Sequence, residues 1–505
     1  MRVPILPPPG LVSDHTDYAA PGVWASGSNV RFFHGLPQAI GGESSLQSGA
    51  LETYNGASKL LAYTIAGVAH LAVRATSFLY SVNTTTWART NITPASGWVA
   101  GRGASLAMFG DVLLAVPHDY SAPASSGTLF TSTAGAQAVA VAPAPDNISI
   151  MLVTPSRQVM ALACNEETSG TYNGRCIRWS DIEDHTDWTT LSSNNAGEYI
   201  LPGQENIVGA RLVGDHIAVW TNSALWLGQY IGQPGQTFIF TRIDSVGLVG
   251  RDCHAEFQGT LYWMAPDLFV YAWSPGSLPT KIECPCLIDV WEEIGVDSGY
   301  PRVTDRFKFH AAALRKYGEI WFFYPALGNG VPNKYLVYCV NESSAAQRPV
   351  WFRGPMLAGA VIDDPLLIDA LNMGDSTAIR IDSDPSSPLT VIDKTSDGPT
   401  YPSWNIQSSF YYIDEGKRRV QVQRYWDDTH GETATYRFTL QLRDNPGETA
   451  AARTSGPHTV TTGTTVKNDF RASGRLVAIK FENGTTPAKF RLGKPVVEAV
   501  PLGVR

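Results

Sequence analysis

The chain has 505 residues, 44% of them apolar and only 17% charged, with a formal net charge of −8. At roughly 100 to 200 residues per domain, that length suggests two to four domains. Its 14 Trp, 20 Tyr and 19 Phe favour pleated, half-buried strands, and with only seven Met they exclude a long-helix or coiled-coil protein.

No run of eighteen apolar residues occurs; the nearest, residues 261–273, is interrupted by Asp267, so no membrane anchor is expected. Residues 1–10, rich in Pro, lack the apolar centre of a secretory leader, so export is not expected. Six Cys are too few for a disulfide scaffold and read as buried thiols. Cys284 and Cys286 form the one close pair and lack the further ligands of a zinc site, so no metal or other cofactor is expected. Charge divides unevenly: residues 1–400 carry 23 Lys and Arg against 36 Asp and Glu, while residues 401–505 carry 15 against 10. Such asymmetry predicts two regions with different surroundings.

Along the chain, short apolar runs return in pairs around a turn residue. Residues 60–73, 105–116, 207–220, 257–263 and 314–324 each read as a hairpin with Gly67, Gly110, Gly214, Gly259 or Gly318 at the turn. A wider gap leaves room for one more unit at 149–162. Hairpins returning every 40 to 50 residues or so are the mark of a β-propeller. The expected fold is all-β: a degenerate six- or seven-bladed propeller over residues 49–395, an N-terminal arm over 1–48, and an antiparallel β-sandwich platform over 396–505. A pair of sandwiches is the alternative. Helix signals are weak, the best being residues 287–294. Residues 375–403, rich in Pro, Ser and Asp, read as a linker or long excursion. Beyond them, 410–413, 435–442, 476–481 and 488–492 alternate as strands.

The densest acidic cluster, Asp181, Glu183, Asp184, His185 and Asp187, lacks the glycine and terminal glutamate of an EF-hand loop and reads as a solvated connection between blades. Nucleophile-elbow, zinc-helix and phosphate-loop motifs are absent, as is a sialidase-type box, so no catalytic residue is assigned. Lys417, Arg418, Arg419 and Arg424 form the strongest basic run, with Tyr411, Tyr412 and Tyr425 nearby. They are candidate contacts to a partner protein or a duplex backbone, the alternative being a plain solvated strand edge.

Several patches of sequence have a common likeness. Residues 21–42, with Trp24, Asn29, Arg31, Phe32, Gly35, Pro37, Gly41 and Gly42, resemble the opening of the tail hub or nozzle proteins, also called packaged-DNA stabilisation proteins, of short-tailed bacteriophages. Residues 175–180 with Asp187, Trp188, Ala196 and Gly197, the stretch 232–234, and the closing segments 474–479 and 490–493 are similar to the same family. The resemblance implies a structural virion protein and no enzyme: a hexameric ring below the portal and adaptor, assembled in the host cytoplasm. The ring would extend the channel for genomic double-stranded DNA, which passes without sequence-specific contacts, and would offer attachment surfaces to fibres, spikes or a plug. An acidic lumen would let the duplex slide, because tight non-specific binding comes from cations neutralising phosphates. The competing expectation is a carbohydrate-binding or carbohydrate-cleaving propeller, including a receptor-binding tail component.

Overall fold

The computed structural model describes residues 2–16, 21–46, 58–98, 103–119, 123–125, 127–233, 236–295, 306–368, 376, 378–382, 389–396, 398–412, 418–430, 435–445 and 453–502. Seven four-stranded antiparallel sheets form the blades of a β-propeller. Blade I consists of Lys59–Ile65, Val68–Arg74, Leu79–Asn83 and Arg89–Asn91, and blade II of Gly103–Phe109, Val112–His118, Phe130–Thr133 and Val139–Ala140. Blade III holds Ile150–Val153, Val159–Asn165, Tyr172–Trp179 and Gly197–Ile200; blade IV holds Ile207–Val213, His216–Thr221, Leu225–Gln233 and Gln236–Asp244. Blade V runs through His254–Phe257, Thr260–Met264, Val270–Trp273 and Thr280–Ile282, and blade VI through His310–Leu314, Glu319–Tyr324, Lys334–Cys339 and Trp351–Pro355. Blade VII takes Ala360–Asp363, Ala378–Ile381 and Thr390–Lys394 from late in the chain and its fourth strand, Gly42–Ser45, from the start.

The six hairpins legible in the sequence are the first two strands of blades I to VI. Their turns need a left-handed backbone, which Gly adopts at little cost, as Gly67 (φ 80°) and Gly259 (φ 77°) do here. The blade III turn manages with Arg157 at φ 57°. Both faces of a blade are covered by neighbours, so its second strand becomes a continuous apolar run; Glu319–Tyr324 is buried at every position. Separate apolar clusters fill the I–II, II–III, III–IV and VII–I interfaces. First strands lie side by side from blade I to IV and from V through VII back to I. Blades IV and V meet through Trp220 and Trp263, whose ring centroids are 5.6 Å apart.

Residues 375–403 are not a linker over their described part. Ile379, Ile381, Val391 and Ile392 are fully buried in blade VII, and the polar residues between those strands had masked two short apolar runs. The helix expected at 287–294 forms as Leu287–Ile294, buries Leu287, Val290 and Ile294 on one face, and stops at Gly295 (φ 71°). A second short helix, Val340–Ala346, had no sequence signal.

The platform is built from both ends of the chain. One sheet runs Arg2–Pro4, Val496–Pro501, Val420–Trp426, Lys467–Gly474; a second orders Trp24–Ser28, Asn405–Ser408, Leu476–Asn483, Thr435–Arg443 and Arg453–Thr461, with Tyr411–Tyr412 beside Leu476–Asn483. A small third sheet joins Val30–Phe33, Leu36–Ala39, Arg491–Leu492 and Thr429–His430. One apolar core, including Trp24, Phe32, Trp321, Trp351, Trp404 and Phe481, continues from blades V and VI into the platform. The two regions that differ in charge therefore share an interior.

Candidate functional site

Lys417 lies outside the described residues. Arg418 is exposed. Arg419 Nε is 3.2 Å from Asp444 Oδ1, and Arg424 pairs with Asp469 and, at 3.2 Å, with Glu498. Arg424 is thus answered on the two neighbouring strands, and Arg419 by Asp444, just past the end of Thr435–Arg443 in the other sheet. Their strand is interior, between Lys467–Gly474 and Val496–Pro501, and Val420, Val422 and Tyr425 are fully buried. This corrects the expectation of an exposed edge. A bulge after Val422 shifts the alternation and turns Tyr425 into the core, where its hydroxyl shares a hydrogen bond of 2.8 Å with that of Tyr436. Tyr425 therefore offers no stacking surface.

The acidic cluster also differs from expectation, since it lies within blade III, between the third and fourth strands. Its carboxylates are used locally. Asp181 Oδ1 accepts from Asn195 N at 2.8 Å, Asp184 Oδ1 from Thr186 N at 2.8 Å, and Asp187 Oδ2 from Asn194 Nδ2 at 3.0 Å. No group of three metal-ligating side chains occurs among the described residues.

The patches that carry the family likeness are structural. Arg31, fully buried, donates through Nη1 to both oxygens of Asp393 (2.8 and 2.7 Å) and through Nη2 to Glu319 (3.0 Å), while its guanidinium lies 3.8 Å from the Tyr317 ring centre. Burial opposes its charge, but the two carboxylates outweigh that and raise its pKa. Burial pushes Glu319 up to about 7, against the pull of Arg31. Gly41 N–H donates to Asp393 at 2.8 Å, and a Cβ at Gly41 would sit 2.3 Å from the Asp393 carbonyl carbon. Nearby, Asn29 (φ 56°) accepts from Tyr335 Oη at 2.8 Å and donates to the Ser403 carbonyl at 2.7 Å. Glu342 accepts from the His34 and Gly35 amides at 2.7 and 2.9 Å. Platform, blade VI and blade VII are locked together here by one polar network whose members are hundreds of residues apart. In blade III, Gly197 leaves room for the Trp179 ring, whose indole N–H donates to Asn195 O at 2.8 Å.

A second polar centre, with no sequence motif, lies on the propeller axis. Two cavities of about 370 and 350 Å³ share Lys59, Arg211, Asp252 and His254. Lys59 Nζ is 2.5 Å from Asp252, and Arg251 Nη2 donates to Ser105 Oγ at 2.5 Å. Burial opposes ionisation of Asp252, but Lys59 and Arg251 override it and hold the pKa below the usual range. His254 stacks on Trp220 at 5.2 Å and His310 on Phe323 at 4.7 Å. Burial, aided by Arg211, takes His254 down to about 3; burial takes His310 to about 4. Both rings are neutral at pH 7. Each came from an innermost strand whose sequence reads only as an apolar run with one polar break, which is why no motif disclosed the cluster.

No family model matches the chain, and no curated protein matches it. Among solved structures it is similar to BamB from Moraxella catarrhalis, with 11% identity, a TM-score of 0.38, and coverage of 74% of this chain and 98% of that one. An exo-β-1,3-galactanase from Phanerochaete chrysosporium gives 9% identity, TM-score 0.28, and coverage of 80% and 98%. The PQQ-bound aldose sugar dehydrogenase from Streptomyces coelicolor gives 11%, 0.30, and coverage of 67% and 100%. The chain is a β-propeller protein of seven described blades with a β-sandwich platform. At this distance the likenesses say nothing of its activity.

Proposed function

We propose that the chain is a structural subunit of the tail of a short-tailed bacteriophage, a hub or nozzle protein that forms a ring and continues the DNA channel below the portal and its adaptor. One observation supports this reading above the others: three of the sequence patches that resemble that family, at 21–42, 474–479 and 490–493, include segments far apart in the chain that adjoin in space. Gln38 pairs with Arg491, Ala39 N–H donates to Phe490 O at 3.0 Å, and Arg491 Nη2 donates to Phe33 O at 3.2 Å. Trp24–Ser28 and Leu476–Asn483 lie in one sheet, each paired with Asn405–Ser408. A role without catalysis agrees with side chains that are spent on the fold: buried ion pairs, indole hydrogen bonds and capped loops.

In this reading the duplex passes through the lumen of the ring. The cavities on the propeller's own axis, a few hundred Å³, are far too small for it. The excess of acids in residues 1–400 favours sliding over adhesion. Heterologous contacts between an acidic propeller and a basic platform would help close the ring.

The test is the copy number of this chain relative to the portal subunit in purified particles, by quantitative mass spectrometry. A ratio of about one to two, as a closed six-fold ring on a twelve-fold portal requires, supports the proposal. Absence from the particle overturns it, and saturable binding to bacterial surface glycans would then establish the sugar-binding alternative.

A further inference from the structure

Two of the six cysteines touch across neighbouring strands of blade III. Cys164 lies on Val159–Asn165 and Cys176 on Tyr172–Trp179. Their sulfurs are 4.0 Å apart and both residues are fully buried. Regular pairing does not bring them together. Leu162 pairs with Ile177 and Cys164 with Asn173, so residues 174–176 stand against Ala163 alone in a bulge. Ala163 takes φ 50°, in the left-handed region that a residue with a Cβ enters at a cost. Side chains alternate along a strand, so without the bulge Cys164 would point with Leu162 into the core shared with blade IV. The bulge turns it into the core shared with blade II, where Ala161 and Cys176 lie.

The pair is held as two thiols. Cys176 Sγ donates to Glu198 Oε2 at 3.5 Å, and Cys164 Sγ lies 3.7 Å from the Ala161 carbonyl oxygen. The Cys164 contact and burial, with the Glu198 carboxylate beside them, raise the Cys176 pKa. Bulky or charged reagents are therefore kept from the pair, whereas a small neutral oxidant is hindered by neither its size nor its charge. The second sulfur is already in place. A bond needs the sulfurs at about 2.05 Å, and each Sγ swings on its own χ1. Once made, it would tie the second strand of the blade to the third and close a ring of 13 residues, 164–176.

We propose that Cys164 and Cys176 form an oxidative modification site, at which hydrogen peroxide converts the two thiols to a disulfide that staples the second and third strands of blade III. Peroxide takes one sulfur to the sulfenic acid and leaves as water; the second thiol attacks that sulfur, forms the S–S bond and releases a second water. The two thiols give up two hydrogens and two electrons, and one peroxide is reduced to two waters. The bond is independent of the virion reading; within that reading it would stay open in the reducing host cytoplasm and form after release.

The experiment treats the fully reduced chain with hydrogen peroxide, blocks the remaining thiols with N-ethylmaleimide in acidic guanidinium, and maps tryptic peptides by mass spectrometry. Cleavage after Arg157, Arg175 and Arg178 places Cys164 in residues 158–175 and Cys176 in residues 176–178, so the bond joins two separate peptides. That joined species is expected. The thermal midpoint should rise by about 3 °C, as closing so short a ring in a chain of this length implies, and fall again with dithiothreitol. Cys164→Ala and Cys176→Ser should each lose both effects. The joined wild-type peptide carries the test if either variant fails to fold. Recovery of both thiols as maleimide adducts after the half-buried Cys284 has been oxidised overturns the proposal. So does a bond confined to Cys284 and Cys286, whose sulfurs are 3.6 Å apart, or sulfinic acid at Cys176 without the bond.

Discussion

Replacing Arg31 by Met removes the cation that Asp393 and Glu319 share and leaves those two carboxylates facing each other. Arg31 makes three charge-assisted hydrogen bonds there and is fully buried. Breaking a buried pair by deleting one partner costs about 3–5 kcal/mol, because the remaining charge is uncompensated. Over 505 residues, with an unfolding entropy of about 2.1 cal/mol/K per residue, one cooperative transition would lose about 3–5 °C of midpoint. The defect should also depend on pH in a defined sense. Glu319 has its pKa raised to about 7 in the fold from an ordinary value of 4.5. Its contribution to stability is therefore complete below 4.5 and lost as pH rises through about 7. Without Arg31 that pKa climbs further, so Arg31→Met should lose more, relative to wild type, at pH 8.5 than at pH 6. Calorimetry with tryptophan fluorescence at both pH values measures this. The triple variant Arg31→Met, Asp393→Asn, Glu319→Gln should recover much of the loss, since its harm is the stranded charge and not the missing volume. A single variant within about 1 kcal/mol of wild type at pH 8.5, or a triple variant no more stable than the single, would refute the reasoning.

His118 and His254, both buried, and the half-buried His310 have folded pKa values lowered to about 3, 3 and 4. Their contribution is present above the unfolded value of 6.5 and lost as pH falls toward 3–4, at up to about 1.4 kcal/mol per pH unit for each ring. Three such groups outweigh Glu319, so denaturation midpoints in urea should fall steeply between pH 6 and 4; a flat profile would contradict their burial. Gly41→Ala places a methyl against the Asp393 backbone and should destabilise by about 1–3 kcal/mol, seen as a lower urea midpoint. Deleting residues 2–46 strips the closing strand from blade VII and four strands from the platform, and should yield an aggregated product on size-exclusion chromatography. Five of the six thiols are buried and Cys284 is half-buried, so Ellman's reagent should titrate at most one rapidly in the native protein and six in guanidinium. Reversing Lys417, Arg418 and Arg419 to Glu should weaken ring assembly in a salt-dependent way, measured by sedimentation; unchanged assembly would leave this run as a solvated loop.

Local rules made most of the propeller legible. Paired apolar runs around a positive-φ turn define the first two strands of a blade, and six of these could be read because both partners lie within about twenty residues and need nothing distant to pair. The helix at 287–294 was legible for the same reason, its apolar face and terminal glycine being local. Blade VII was not, because its first two strands are separated by a long connection and its last strand, Gly42–Ser45, comes from the other end of the chain. No window of sequence contains that pairing.

In sequence, Arg31 and Gly41 stand out only as members of the stretch 21–42 that resembles the tail hub proteins. Their work was decided only in three dimensions. A lone Arg in a half-apolar strand is indistinguishable from a surface residue until Asp393 and Glu319 are brought to it from hundreds of residues away. The basic run at 417–424 shows the converse. Its charge looked available in sequence, yet Asp444, Asp469 and Glu498 arrive on adjacent or opposing positions and answer Arg419 and Arg424. The axial cluster of Lys59, Arg211, Arg251, Asp252 and His254 is the extreme case. Its residues come from blades I, IV and V and the segment leading into V, and they meet because closing a circle of blades turns every first strand toward one axis. Burial and charge balance there follow from that closure and from no local pattern.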